Sequence, residues 1–136
     1  MPIAISEGIQ AALVGNAQLI TLLGGTVIYQ GLAPQLATTP YVVFFISGGG
    51  EDNISPKDSV DEFYTVYGIT SNDATLAGSI SDEIRDALHE AELTFSGDWK
   101  HIKCSREQKL WLTEHAERRT FYSAGGIYRV RAINEP

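Results

Sequence analysis

The sequence predicts an α+β fold, in which a mixed, mostly antiparallel sheet packs against an N-terminal helix and one long central helix. Apolar residues recur at helical spacing in two separate segments, and strand-like segments are grouped around the second of these rather than alternating with helices. A chain of 136 residues, of which 43% are hydrophobic, is long enough to bury one core. We therefore expect a single domain over residues 1–136.

The helices are predicted from their periodicity and their capping residues. The first is predicted over Pro2 to Val14, where apolar side chains fall on one face of the segment. Asn16 is suited to cap a short second helix. The long central helix is predicted to begin after Ser71-Asn72-Asp73, with apolar side chains on one side and mostly acidic side chains on the other.

Strands are predicted on both sides of the central helix. Alternating or continuous apolar and aromatic residues indicate them. Three precede the helix, at Thr26 to Tyr29, Tyr41 to Ile46 and Glu62 to Thr70, and two or three follow it within Trp99 to Ser105, Leu110 to His115 and Thr120 to Ile133. Gly125-Gly126 is predicted to form a turn or a bulge.

A glycine-rich and acidic segment, GGGEDNISPKDS, separates two of these strands. It contains too little apolar surface to fold alone, and its glycines increase the entropy that is lost on ordering. We therefore predict a mobile loop over residues 47–61. Its candidate functional residues are Gly48, Gly49, Gly50, Glu51, Asp52, Asp58 and Asp61.

Charge is divided unevenly along the chain, whose formal net charge is −7. Residues 1–50 contain a single acid, residues 51–98 sum to −10 and residues 99–136 sum to +4. The acidic total argues against a general nucleic-acid binder. The separation of signs favours either pairing with a second copy of the chain or neutralisation within one fold. The candidate basic face consists of Arg106, Lys109, Arg118, Arg119, Arg129 and Arg131.

No motif predicts catalysis, a cofactor or a metal. His101 and Cys104 form a His-x-x-Cys pair, but zinc needs about four ligands, and in a regular strand these two side chains would face opposite sides. A nucleophilic triad with Asp98 lacks a glycine-flanked elbow. Acidic residues follow Gly48-Gly49-Gly50 and would repel a phosphate. A small α+β enzyme with His101 or His115 in a pocket is the alternative.

No membrane association is expected. The longest apolar run, Tyr41 to Ile46, is far shorter than the roughly 20 residues of a membrane-spanning helix. The N-terminus lacks the basic and apolar regions of a secretory signal, and the single cysteine fits a reducing compartment. We expect a soluble protein made in a cytoplasm.

Two strings and their arrangement resemble a known family. VIYQGLAPQLATTPYVVF contains a short strand and a proline segment that leads into a second strand, and SNDATLAGSISDEIRDAL forms the long helix before a strand-rich tail. Over nearly the whole chain, this arrangement resembles the tail-terminator or tail-completion proteins of long-tailed bacteriophages. The GGGEDNISPKDS segment and Gly125-Gly126 match no feature of that family.

The resemblance implies a structural virion protein without catalysis. It implies a ring of six copies at the head-proximal end of the tail, assembled in the host cytoplasm, that stops polymerisation of the tail tube and offers a surface for head-tail joining. The implied partners are further copies of the chain, the tail tube protein and a head-tail connector protein, while DNA passes through without sequence-specific binding. A head-tail connector or neck protein is the nearest alternative.

The resemblance also implies roles for the charged segments. In a cyclic ring, one surface of each subunit meets a different surface of the next, so the acidic middle third is expected to face the basic last third of a neighbour. The loop over residues 47–61 is expected to order on assembly or to line the channel, where its acids would repel DNA.

Overall fold

The computed structural model describes residues 3–33, 38–52 and 59–134. Within those ranges, three helices and five strands follow one another. They are α1 (Ile3–Val14), α2 (Ala17–Leu23), β1 (Ile28–Gln30), β2 (Tyr41–Asp52), β3 (Ser59–Ser71), α3 (Ala74–Leu88), β4 (Trp99–Ala116) and β5 (Arg119–Asn134). No helix in the described ranges is long and apolar enough to cross a membrane.

The five strands form one sheet in the order β1-β2-β3-β5-β4. β1 runs parallel to β2, and every other neighbouring pair is antiparallel. The predicted α+β class with a mixed, mostly antiparallel sheet is confirmed. The long strand β4 lies at one edge of the sheet and the three-residue strand β1 at the other.

The three helices cover one face of this sheet. Buried side chains of that face, such as Tyr64 of β3 and Tyr128 of β5, pack with Ile5 of α1, Leu19 of α2 and Ile84 of α3 in one apolar cluster. α3 packs on β3, β4 and β5, α1 packs on β1 and α3, and α2 packs on α1 and α3. Removal of this apolar surface from water is the main stabilising contribution.

The helix ends follow from the predicted capping residues. The side-chain oxygen of Asn16 accepts from the backbone N–H of Gln18 at 3.0 Å and of Leu19 at 3.1 Å, which starts α2. Gly24, with φ +76°, ends it in the left-handed conformation that glycine adopts without strain. Asp73 accepts from the N–H of Leu76 at 2.9 Å and starts α3.

The C-terminal third differs from the prediction. Gly125 and Gly126 lie in the middle of β5 rather than at a turn, and a single strand, β4, replaces the two predicted segments. The β4–β5 turn is formed by Glu117 and Arg118, both with positive φ. A Cβ at Gly125 would overlap the carbonyl oxygen of Val66, so glycine allows β3 to approach closely.

The predicted loop over residues 47–61 is also shorter than expected. Residues 48–52 pair with residues 59–63 and extend β2 and β3 into a longer hairpin, with a register shift between Ile46 and Gly48. Glycines are compatible with extended backbone, and the ladder supplies their hydrogen bonds. Residues 53–58 lie outside the described ranges.

Candidate assembly surfaces

The face of the sheet turned away from the helices is the first candidate surface, called the outer face below. Its residues alternate with the buried ones along each strand. Across the paired strands the outer face includes Tyr29, Tyr41, Val43, Phe45, Asp61, Phe63, Thr65, Tyr67, Ile69, Lys103, Ser105, Gln108, Leu110, Leu112, Ile127, Arg129 and Arg131. None of these belongs to the apolar cluster beneath the helices, and no described helix lies over them.

Aromatic side chains of the outer face pack on one another. The ring centroids of Tyr29 and Tyr41 are 5.9 Å apart and those of Phe45 and Tyr67 are 6.2 Å apart, both edge to face. Val43 is only 3% exposed. Burial raises the pKa of the Tyr41 and Tyr67 hydroxyls. A cluster of partly exposed aromatic side chains outside the core is typical of an interaction site.

The outer face becomes polar where β3 begins. The Arg129 guanidinium donates to both carboxylate oxygens of Asp61, with a 2.7 Å bond from Nε. These hydrogen bonds hold the pKa of the Asp61 carboxyl below its ordinary value. The same guanidinium lies 5.8 Å from the ring centroid of Phe63. Arg129 therefore joins the aromatic part of the outer face to its charged end.

That charged end has an excess of cations. Lys103 and Arg131 are register partners, both exposed, and they lie beside Asp61 in the sheet. Together with Arg129 they surround a small pocket of about 90 Å³ that also contains Glu107. Three cations face two carboxylates here. We call Lys103, Arg129 and Arg131 the basic end of the outer face.

The outward side of α1 and α2 is the second candidate surface. Its exposed residues lie at helical spacing and are Ile3, Glu7, Ala11 and Val14 of α1 with Ala17, Gln18 and Thr21 of α2. Only Glu7 in this set is charged, whereas the solvent face of a helix usually contains several charges. Depletion of charge marks the centres of protein interfaces. We call this set the neutral helical surface.

The helix α3 supplies the acidic part of the same layer. Asp82 and Asp86 are exposed, with Arg85 between them, and Glu90 follows the helix. A groove of about 470 Å³ lies along the junction of α2 and α3 and is lined by Gln18, Thr21, Leu22, Ser79, Asp82 and Glu83. The helical layer is therefore neutral at α1 and α2 and acidic along α3.

The edge strand β4 offers a third feature. The backbone carbonyl of Cys104 accepts a hydrogen bond from the N–H of Glu90 at 2.7 Å. The turn after α3 therefore occupies one of the hydrogen-bonding groups of this edge strand. β4 pairs with β5 on one side only. The side chains of Trp111 and Leu112 are 44% and 58% exposed near its far end. Long edges with exposed apolar side chains can pair with another chain.

The predicted catalytic and metal candidates form no reaction centre. His101 and Cys104 pair with Ala132 and Val130, two inward residues of β5, because a bulge at Ile102 shifts the register. The two side chains therefore share a face, and the expectation that they would face opposite sides was wrong. Burial raises the pKa of the Cys104 thiol to about 12. Among the described residues, no group of three or more metal-ligating side chains occurs.

The remaining candidates for chemistry are far from that pair. His115 lies at the opposite end of β4, where its Nδ1 is 2.9 Å from the hydroxyl of Thr120. Gly48, Gly49 and Gly50 belong to a paired strand, so they do not form a glycine turn that would hold an anion.

The structure separates the six residues of the predicted basic face. Arg129 and Arg131 lie on the outer face. Arg106 and Lys109 pair with Tyr128 and Gly126, which face the helices, so they lie on the other side of the sheet. Arg118 and Arg119 lie at the β4–β5 turn. The six residues therefore do not form a single face.

The predicted loop residues also lie in different parts of the chain's structure. The backbones of Gly48, Gly49, Gly50, Glu51 and Asp52 lie in β2, and Asp61 lies in β3 with its carboxylate paired to Arg129. Asp58 lies outside the described residues.

The outer face and the neutral helical surface were not predicted as sites. Two signals for them were visible in the sequence, namely the bulky residues on both sides of β3 and the single charge in residues 1–50.

The chain is a two-layer α+β protein, with an exposed sheet face on one side and a layer of helices on the other. The tail completion protein gp17 family matches residues 7–132, and the chain belongs to that family. It is therefore a structural protein of the phage tail and is located in the virion, as the resemblance predicted.

A solved structure has a similar fold. A chain of the virion of a native gene transfer agent particle superposes with a TM-score of 0.77 over 96% of this chain and 95% of that chain, at 16% sequence identity. At this identity the likeness establishes the fold alone. No curated protein matches the sequence.

Proposed function

We propose that the chain forms a ring, of six copies, that caps the head-proximal end of the tail tube, stops tube polymerisation and offers the surface for head-tail joining. One observation carries this proposal: each subunit has two different surfaces that are low in charge, the aromatic part of the outer face on the sheet and the neutral helical surface on the helical layer. Contacts between two different surfaces generate closed rings when the rotation between subunits closes.

Two findings support a role in the tail. Membership of a tail completion family defines a structural component of this part of the virion. A chain from a gene transfer agent virion has the same fold over nearly its full length. In the proposed ring, one rim binds the last layer of tube protein and the other binds a head-tail connector protein. Binding and geometry perform this function without a chemical step.

The end of the β2–β3 hairpin is proposed to face the channel or the tube. Residues 48–52 pair with residues 59–63 beyond the register shift between Ile46 and Gly48, so the hairpin continues past that point. The charge of Asp61 is compensated by its ion pair with Arg129. In this proposal the residues that repel passing DNA are therefore Glu51, Asp52 and Asp58. An assembled ring whose channel is lined mainly by lysine and arginine would contradict this part of the proposal.

The test is polymerisation of the cognate tube protein with and without this chain, followed by tube lengths in negatively stained images. When this chain is added at a fixed ratio to tube ends, the tubes should be shorter on average. Each tube should also show a density at one end. Unchanged lengths with no bound end density would overturn the capping function. Binding to portal or head proteins without any effect on tubes would assign the chain to the neck instead.

A further inference from the structure

The proposed ring leaves open which surface of one subunit meets which surface of the next. The outer face is largely apolar and aromatic over β1, β2 and most of β3. It is basic at the end where β3 begins, where β5 contributes Arg129 and Arg131 and β4 contributes Lys103. The helical layer on the other side is neutral over α1 and α2 and acidic along α3. Each side of the molecule thus has a part low in charge and a charged part. The charged part is basic on the sheet side and acidic on the helical side.

The positions of the two patterns correspond within one subunit. α1 packs on β1 and on α3, and α2 packs on α1 and α3, so α1 is the part of the neutral helical surface that lies behind the aromatic strands. α3 packs on β3, β4 and β5, so its acids lie behind the basic part. A neighbour displaced along the perpendicular to the sheet would therefore bring neutral surface against aromatic surface and acidic surface against basic surface.

The correspondence also holds along the strands. The C-terminal end of α3 lies at the level of Cys104 and Arg106, because the N–H of Glu90 donates to the Cys104 carbonyl at 2.7 Å and the N–H of Arg106 donates to His89 Nδ1 at 2.9 Å. The basic end of the outer face lies at this level too, since Lys103 is next to Cys104 in β4. Asp82, Asp86 and Glu90 are at or near the same end of α3.

We propose that neighbouring subunits in the ring stack front to back, with the neutral helical surface and α3 of one copy on the outer face of the next. Aromatic residues including Tyr41 and Phe45 contact α1 and α2 of the neighbour, and the apolar contact holds the pair together. Arg131 and Lys103 face Asp82 and Asp86, and these exposed pairs set the orientation of the contact. This inference rests on the proposed ring and specifies its subunit interface.

Two single-site variants test the stacking. Ile127→Lys places a charge on the outer face, and Ala11→Lys places the same charge on the exposed side of α1. Each variant should need an at least about tenfold higher concentration than the wild type to reach ring mass in light scattering. Ser96→Lys, at an exposed position in the loop between α3 and β4, adds the same charge outside both surfaces and should assemble like the wild type.

Mixing the two variants gives the sharper result. An Ile127→Lys subunit keeps an intact helical side, and an Ala11→Lys subunit keeps an intact outer face, so one productive contact remains and a one-to-one dimer should form. Circular dichroism and thermal unfolding of each variant must match the folded wild type. If both variants fold and no mixed dimer forms, or if both still assemble as rings, the stacking is overturned.

A charge exchange at two exposed positions provides a second test of the stacking. Arg131→Glu and Asp86→Arg should each weaken assembly, and the double variant should recover at least part of the loss, because every interface then pairs the exchanged charges. Losses in the two single variants that add in the double variant would contradict the pairing.

Failure of the stacking and failure of the proposed function give different results. A wild type that caps tubes while both lysine variants also cap them overturns the stacking only. A wild type that forms stacked rings without capping tubes overturns the proposed function only. A wild type that stays monomeric even with tube protein overturns both.

Discussion

The close approach of β5 to β3 predicts opposite effects for two glycine-to-alanine substitutions. A Cβ at Gly125 would overlap the carbonyl oxygen of Val66 and lie 2.6 Å from Cα of Tyr67, and both obstructing atoms belong to the backbone. A Cβ at Gly78, within α3, would meet nothing within 4 Å. The same chemical change should therefore destabilise the protein at the first position and stabilise it at the second.

The magnitudes follow from the two environments. Overpacking costs about 1–3 kcal/mol, and the backbone at Gly125 favours the upper part of that range, while alanine recovers roughly 0.4–1 kcal/mol by restricting the unfolded chain. The net loss is about 2 kcal/mol. Gly78→Ala should gain about 0.5–1 kcal/mol from helix propensity. At about 3 °C per kcal/mol for a chain of this size, the two melting temperatures should differ by roughly 8 °C.

Thermal unfolding followed by circular dichroism, with urea unfolding as a second measure, tests this pair. Gly78→Ala is the control, since it shares the added methyl group and the lost glycine flexibility. If Gly125→Ala proved as stable as the wild type, the register that places Gly125 opposite Tyr67 would be refuted, and a turn at this glycine pair would again be the better interpretation.

Three further predictions concern individual side chains. Arg118→Gly should raise the free energy of unfolding by about 1 kcal/mol in urea, because Arg118 has φ +69° and glycine adopts that conformation without strain; an unchanged or lower stability would contradict the two-residue turn. Burial raises the pKa of the Cys104 thiol to about 12, so native protein at pH 8 should react with a disulfide reagent about a thousandfold more slowly than unfolded protein, and rapid labelling would contradict its burial. Because Arg129 lowers the pKa of Asp61, this carboxylate stabilises the fold above its unfolded pKa of about 3.9, and the contribution is lost as the pH falls through the folded value. Asp61→Asn should therefore flatten the fall in melting temperature between pH 5 and pH 2, and an identical profile would show that the pair does not stabilise the fold.

The helices and the first three strands could be predicted because local signals agree with the tertiary structure there. Asn16 and Asp73 accept the capping bonds that their residue types suggest. The alternation of β3 identified a strand with bulky residues on both sides. One side is the core and the other is the outer face, and a single sequence does not show which part of a two-sided strand stays uncovered.

Antiparallel strands were predicted for the last third of the chain, but the position of their turn could not be predicted, because its residues contradict local preference. Two-residue hairpin turns with positive φ favour asparagine and glycine, whereas this turn uses Glu117 and Arg118. A contact from a distant segment supports it: Asn72 and Thr120 exchange bonds of 2.7 Å and 2.9 Å beside the turn. The glycine pair that the sequence suggested as a turn instead serves close packing between strands.

The charge pattern predicted a basic face in the last third of the chain, but the six predicted residues do not share one face of the sheet. The count over the last third of the chain found an excess of cations, but strand pairing places Arg106 and Arg129 on opposite faces of the sheet. Bulges in β4 decide which side chains share a face, and bulges leave no reliable sequence signal. Only Arg129 and Arg131 of the predicted set reach the outer face.

The most direct test of the proposed ring is the molar mass of the chain by light scattering behind size exclusion, over rising concentration, with and without cognate tube protein. The proposal predicts a mass near six subunits, or a monomer that reaches ring mass only when tube protein is present. A fixed dimer that is indifferent to tube protein would contradict it, because a closed dimer offers no rim to the end of a tube.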